Sequence, residues 1–429
     1  MFRPSCLALA ATLSVVPLST AIAQNAAPET ASQATATRGQ MLTNNAFNPA
    51  LSLILGGQMH HFERDPQTYQ IGGFVPGGEE TGPGSRGFNL GESELTISAN
   101  IDPYFSGQFI MAVTPENEAE VEEAFVQNSG SLPGTTIRFG RFLSAFGYQN
   151  EIHAHAWDFV DAPLAHQTFF GGALKDDGLQ VRWLAPTPVF LEFGLEAGRG
   201  ANFPGSDRGK NGLNSGMLFV HVGDDVGEGN SYRVGASYRR VRALNRQYED
   251  VNSLNEGVIN AFAGDSNTWG IDLVWKWAPG GNAVERNFKF QAEYFRREEK
   301  GELTYDMDGI STPGTGGDRY TSKQSGWYAQ AVYQFMPRWR AGVRIEQLDS
   351  GRLSNDLATK GVNGLTGNDF PLLAAHKPKR NSVMVDFSTS EFARLRAQFA
   401  RDEARFKESD NQIILQYVMS LGAHGAHKF

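Results

Sequence analysis

The sequence predicts an all-β protein: a transmembrane antiparallel β-barrel of about 16 strands behind a cleaved N-terminal signal peptide. Three observations carry this reading. Apolar residues recur with a period of two almost everywhere after Leu51, aromatic residues gather at the ends of the apolar faces, and short turns alternate with long polar loops.

Taken in order, residues 1–23 (MFRPSCLALAATLSVVPLSTAIA) have a short start with Arg3, an apolar stretch and a small-x-small end at Ala21-Ile22-Ala23, the layout of a secretory signal. The single cysteine, Cys6, lies before the apolar stretch and leaves with it, so disulfide scaffolds and thiol chemistry are excluded for the mature chain. Residues 24–45 are rich in Ala, Thr, Gln and Asn without an apolar period and read as a disordered periplasmic leader. Residues 46–429 remain for the barrel.

Within that span, NFKFQAEYF sets Phe288, Phe290, Ala292 and Tyr294 against Lys289, Gln291 and Glu293. TWGIDLVWKW sets Trp269, Ile271, Leu273, Trp275 and Trp277 against Asp272 and Lys276, and SYRVGASYRR, GWYAQAVYQF and WRAGVRIEQL repeat the pattern. A soluble sandwich also alternates. Aromatics at segment ends favour a barrel, because Trp and Tyr prefer the two lipid–water interfaces.

Candidate strands begin near Leu51, Phe88, Phe105, Val121, Thr135, Gly178, Phe190, Ser215, Ser231, Asp265, Asn287, Thr321, Trp339, Lys377, Ala393 and Asn411. Short turns are expected at 102–104, 185–189, 224–230, 279–286, 336–338 and 389–392. Long external loops are expected at 63–87, 143–177, 200–214, 244–264, 299–320 and 350–376. The last strand carries Ile413, Leu415, Tyr417, Met419 and Leu421 in one parity with the terminal Phe429, interrupted by Gly-Ala-His-Gly-Ala-His. No apolar run of about 18 residues follows the signal, so no membrane-spanning helix is encoded. A formal charge of −9 gives no electrostatic footprint for nucleic acid.

The segment IRFGRFLSAFGYQNEIHAHAWDFVDAPL, residues 137–164, combines a Gly-Arg-Phe element, a Phe-Gly turn and a loop with aromatic and acidic residues. With the strand layout, it resembles the bacterial outer-membrane porins, most closely the phosphate-selective porin O and P type. That resemblance implies an outer-membrane location, a homotrimer, outer-membrane lipid and small solutes or ions as partners, and a third loop folded into the lumen. In the phosphate-selective members, Arg and Lys ladders strip the anion of water. Here the expected lumen set mixes signs. Arg138, Arg182, Arg233, Arg239, Arg340, Arg344, Arg394 and Arg396 stand beside Glu94, Glu192, Glu196, Asp272, Glu293 and Glu346. Mixed signs make a transverse field, so phosphate selectivity does not carry over.

The third loop, 143–177, is the expected constriction, with Glu151, His153, His155, Asp158, Asp161 and His166. His153 and His155, joined by His166 and completed by Glu151, Asp158 or Asp161, suit a borderline-soft ion such as zinc. Histidine is also an ordinary polar residue for a wet loop, which is the leading expectation for these positions, and adjacent His60 and His61, or His424 and His427, face opposite ways on a strand. Trp157, Phe159, Phe169 and Phe170 read as anchors that pack the loop against the wall.

No nucleophile triad spacing, phosphate-cradling glycine loop or His-Glu-x-x-His occurs, and the expectation is a non-enzyme. The leading expectation is a passive diffusion channel without a cofactor. The alternative is a zinc- or metal-chelate-associated uptake receptor without a plug domain, for which some 25 residues before the first strand leave no room.

Overall fold

The structure, a computed structural model, describes residues 49–78, 81–114 and 118–422. The expected signal peptide and leader, His424, His427 and the terminal Phe429 lie outside the described residues.

Period-two segments become strands because alternate side chains reach opposite faces of a pleated ribbon. In chain order these are β1 (Ala50–Phe62), β2 (Gly87–Asn89), β3 (Ser93–Asn100), β4 (Phe105–Val113), β5 (Ala119–Ser129), β6 (Thr135–Leu143), β7 (Lys175–Leu184), β8 (Phe190–Gly198) and β9 (Ser215–Val226). They continue as β10 (Asn230–Val251), β11 (Gly257–Trp277), β12 (Asn287–Tyr305), β13 (Gly316–Met336), β14 (Trp339–Asn355), β15 (Lys379–Ser390), β16 (Ala393–Asp402) and β17 (Asp410–Gly422).

All form one antiparallel sheet, and β17 returns to β1 in the register Leu53↔Leu421 through Phe62↔Gln412, which closes the ring. β2 and β3 both pair with β1 and are two halves of one stave, so the wall has 16 staves. Each of the expected strands corresponds to one of them.

The wall is inside-out relative to a soluble protein. On β15, Val383 is 50% exposed while Arg380 and Ser382 are 2% exposed. On β11, Ile271 is 59% exposed while Asp272 is 1% exposed. Outward Trp183, Trp269, Trp275, Trp327 and Trp339 are also exposed. An apolar outer band with aromatics and a charged interior is the arrangement a closed barrel needs in lipid, because ring closure satisfies every backbone group. No helix among the described residues is long and apolar enough to cross a membrane.

Three expected external loops are shorter than the sequence implied. Strands β10 and β11 run on through most of 244–264, leaving 252–256 between them, and β12 and β13 consume most of 299–320. Strand β14 continues to Asn355, inside the expected loop 350–376. The cause is packing. Above the membrane band, Tyr248, Val258, Phe262, Leu303, Tyr305 and Tyr320 turn inward and meet Leu365, Phe370 and Leu372 of the connection from β14 to β15. Buried apolar contacts hold these strand ends straight where charge had suggested loop.

Candidate functional site

The connection between β6 and β7, residues 144–174, lies inside the ring. Its entry is set by Gly147 at φ +76, where a Cβ would stand 2.6 Å from Glu293 Oε1, so only glycine lets the chain turn against the β12 wall. The loop then makes two short 3-10 turns and a helix, α1 (Leu164–Phe170), closed by Gly171 in the left-handed region. At that helix end Gly171 and Gly78 of the first loop approach so closely that a Cβ on either would stand within 2.4 Å of the other's Cα. Gly82 N–H donates to Gln167 Oε1 (3.1 Å), so the first loop sits on the third.

Apolar anchors and charged clamps hold this loop together. Ala145, Phe146, Leu164, Ala165, Phe169 and Phe170 pack with Met217, Phe219 and Phe295 of the wall and Ile71 and Phe74 of the first loop. Phe159 packs on Val332 and Met384, and the Arg344 guanidinium sits 4.6 Å over its ring. Trp157 is buried and donates Nε1–H to Ile152 O (2.6 Å). Phe159, Phe169 and Phe170 thus make the wall contacts expected of the loop aromatics, while the Trp157 side-chain hydrogen bond stays within the loop.

The clamps reach most of the circumference. Glu151 pairs with Arg182 of β7 and with Arg233 of β10 (3.1 Å). Arg233 also meets Asp272 at 3.1 Å and caps Gly147 O at 3.0 Å. Tyr148 and Gln149 N–H both donate to Glu293 of β12, whose other oxygen holds His166 Nε2 at 2.6 Å. Asp158 takes Arg340 at 3.0 Å and Lys289 at 3.2 Å. Asp161 accepts from Arg344 (2.6 Å), Arg380 (2.8 Å) and Gln398 (2.7 Å). Arg344 and Arg380 are in turn both held by Glu346, at 2.8 and 2.9 Å. Glu346 accepts Leu164 N–H, while Arg394 and Arg396 donate to the carbonyls of His155 and Trp157.

Burial alone would raise the loop carboxyls. The arginines overrule it: Arg182 and Arg233 bring Glu151 down to about 2, and Lys289 with Arg340 holds Asp158 well below the usual carboxylate range. Arg344 and Arg380 do the same for Asp161.

The expected zinc trio is not brought together. The rings of His153 and His155 stack at 5.9 Å, but His166 is on α1 against Glu293, and Glu151, Asp158 and Asp161 are spent on arginines. His153 instead faces Glu94 of β3 and Glu122 and Glu123 of β5, at 3.6, 2.9 and 3.2 Å. Sequence reasoning missed Glu122 and Glu123 because adjacent strand residues should face opposite ways. A bulge between the pairs Ile110↔Glu123 and Met111↔Val121 turns both inward. Two consecutive acids breaking an alternating run were the available signal.

Arg138, Arg182, Arg233, Arg239, Glu293, Arg344, Glu346 and Arg396 all sit on inward parity. Most are fully engaged, whereas Arg138 is half-buried and bonds Gln127 at 2.7 Å. The inward residues Thr96, Ser98, Gln108, Gln127, Thr136 and Arg138 on β3 to β6 are all half-exposed, unlike their buried counterparts on β10 to β17. Half-exposed polar residues therefore line part of the ring beside the docked loop, next to buried Ile110, Ala112 and Phe125 of the same parity.

Fold and loop together define a 16-stave barrel of the outer-membrane type. The chain belongs to the same family as an uncharacterized protein of Aquifex aeolicus (strain VF5), with 33% identity over 414 residues covering 90% of this chain and 81% of that protein. No known family model matches the chain. Among solved structures, it is similar to a loop L8 deletion mutant of OmpT, an outer membrane protein of Vibrio cholerae. The TM-score is 0.53 at 11% identity, covering 88% of this chain and 100% of that one. The trimer form of in-vitro folded OmpT gives 0.51 at 9% identity, covering 88% and 100%. OprB of Pseudomonas putida gives 0.51 at 13% identity, covering 92% and 97%. At these identities the likeness establishes the fold.

Proposed function

We propose that the chain is a porin, an outer-membrane channel through which small hydrophilic solutes or ions diffuse passively, narrowed by its third loop. The observation that carries this reading is the loop's placement: it crosses the ring on charged clamps and leaves the half-exposed polar face of β3 to β6 beside it. Solute passing there meets Thr96, Ser98, Gln108, Gln127 and Arg138, a mildly polar lining whose one guanidinium bonds Gln127 and lies over the Phe125 ring. The compensating pairs elsewhere in the lumen argue for weak charge selection and against a phosphate ladder.

A homotrimer embedded in outer-membrane lipid is the assembly we propose, motivated by the trimer form of the Vibrio cholerae barrel. Planar-bilayer recording on the folded protein tests the channel. Stepwise conductance with a reversal potential near zero in a salt gradient is expected; the absence of steps from well-folded barrels would overturn the reading.

A further inference from the structure

The histidine-rich stretch of the third loop lands in a basket of carboxylates that the channel reading does not use. His153 projects between β3 and β5. Its Nε2 lies 3.2 Å from Glu123 Oε2, a contact in which the imidazole donates and the carboxylate accepts. Nδ1 then faces two carboxylate oxygens, Glu122 Oε2 at 2.9 Å and Glu94 Oε2 at 3.6 Å. Glu94 Oε2 is buried without a hydrogen-bond partner, on a side chain 1% exposed. The other oxygen of Glu94 is fixed by His155 Nδ1 at 2.5 Å. Glu92 lies against Glu94, and the guanidinium of Arg138 faces Glu123.

Four carboxylates thus surround two imidazoles with one arginine beside them. His153 Nδ1, Glu94 Oε2 and Glu122 Oε2 converge on one point, where a bound cation would take the place of the proton that the imidazole otherwise shares with these carboxylates.

We infer that this point is a binding site for a divalent cation of the zinc class, held by Glu94 Oε2, Glu122 Oε2 and His153 Nδ1. The three donor atoms lie within 4.8 Å of one another. Around a tetrahedral ion with bonds of about 2.0–2.1 Å, ligands stand about 3.3 Å apart, so the 2.9 and 3.6 Å separations to His153 bracket the requirement. The surroundings match those of a metal site. A carboxylate on the far nitrogen of a ligating imidazole, here Glu123, fixes its tautomer and raises its basicity, and His155 orients Glu94 in the same way. A mixed nitrogen and oxygen set with the imidazole edge 16% exposed leaves a fourth position to water.

Such an ion would stitch the third loop to β3 and β5, the side of the ring where no arginine clamp reaches the loop. It is a latch on the loop and carries no claim of metal uptake.

Zinc titration calorimetry on the folded barrel in detergent, in chelator-treated buffer, tests the site. One Zn2+ per chain is expected, weakened at least roughly 10- to 100-fold in the near-isosteric Glu122→Gln. Loss in His153→Gln and no change in the exposed control Glu408→Gln are also expected. Cobalt should give the intense visible bands of a tetrahedral or five-coordinate ion in the wild type and lose them in Glu122→Gln, with heat-modifiable migration reporting that the barrel is intact. Absence of saturable binding, or equal binding in wild type and both site variants, would overturn the inference. Binding is read without conduction, so this proposal and the channel reading fail independently.

Discussion

Replacing Asp161 by Asn probes the clamp that holds the centre of the loop. The change keeps shape but removes the charge that receives Arg344 at 2.6 Å, Arg380 at 2.8 Å and Gln398 at 2.7 Å. Both arginines keep Glu346, at 2.8 and 2.9 Å, so the full cost of a stranded buried charge is not incurred. What remains is the loss of charge-assisted hydrogen bonds in a site only 15% exposed, about 1.5–3 kcal/mol. At 1.4 kcal/mol per decade, the loop-open population rises roughly 10- to 150-fold. Hydrogen exchange reads this directly, because Val160 N–H is bound to Gln398 Oε1 (2.8 Å) and Leu164 N–H to Glu346 Oε2 (2.5 Å). Their protection should fall by that factor while wall amides keep theirs. Asp207→Asn, in an exposed pair with Arg199, should change neither. Protection within a factor of two of wild type in Asp161→Asn would refute the clamp.

Further outcomes follow from the same geometry. Because Glu151 is brought down to about 2 from an ordinary 4.5, with Asp158 and Asp161 also lowered, the clamps stabilise the docked loop fully above pH 4.5. They should lose that contribution as pH falls toward 2, which exchange or proteolysis across this window would show. Phe169→Ala removes a fully buried ring of the loop cluster and should cost about 3–5 kcal/mol of docking, seen as rapid protease cleavage within 144–174 with the barrel intact. Ile271→Lys places a charge on the outer face between Trp269 and Trp275 and should destabilise the barrel by about 2–4 kcal/mol in a bilayer unfolding titration.

The wall was legible because a strand's period is local: one residue's parity fixes its neighbour's, and Asp272 beside Ile271 declares inside and outside at once. Gly147 and the loop aromatics were legible in part, since a glycine turn followed by Trp157, Phe159, Phe169 and Phe170 reads as a chain that must bury rings. The partners of each loop charge were not. His153 meets residues 30 to 59 positions upstream, and which carboxylate it meets depends on ring closure and on a bulge that no alternation predicts. The tall strand ends of β10 to β14 were hidden for a related reason. Charged residues there suggested loop, while the deciding contacts, such as Phe262 with Tyr320, lie between strands far apart in sequence.

The central claim, a water-filled path along β3 to β6 beside a docked loop, is tested most directly by blocking it. Expressed without residues 1–23 and hence without Cys6, the protein can carry a single cysteine at Ser98, which is inward and half-exposed, or at Leu55, which is outward. Recorded in planar bilayers, Ser98→Cys should lose a large fraction of its conductance on reaction with a bulky charged thiol reagent, and Leu55→Cys should lose none. Steady conductance through a modified Ser98→Cys channel would contradict the account.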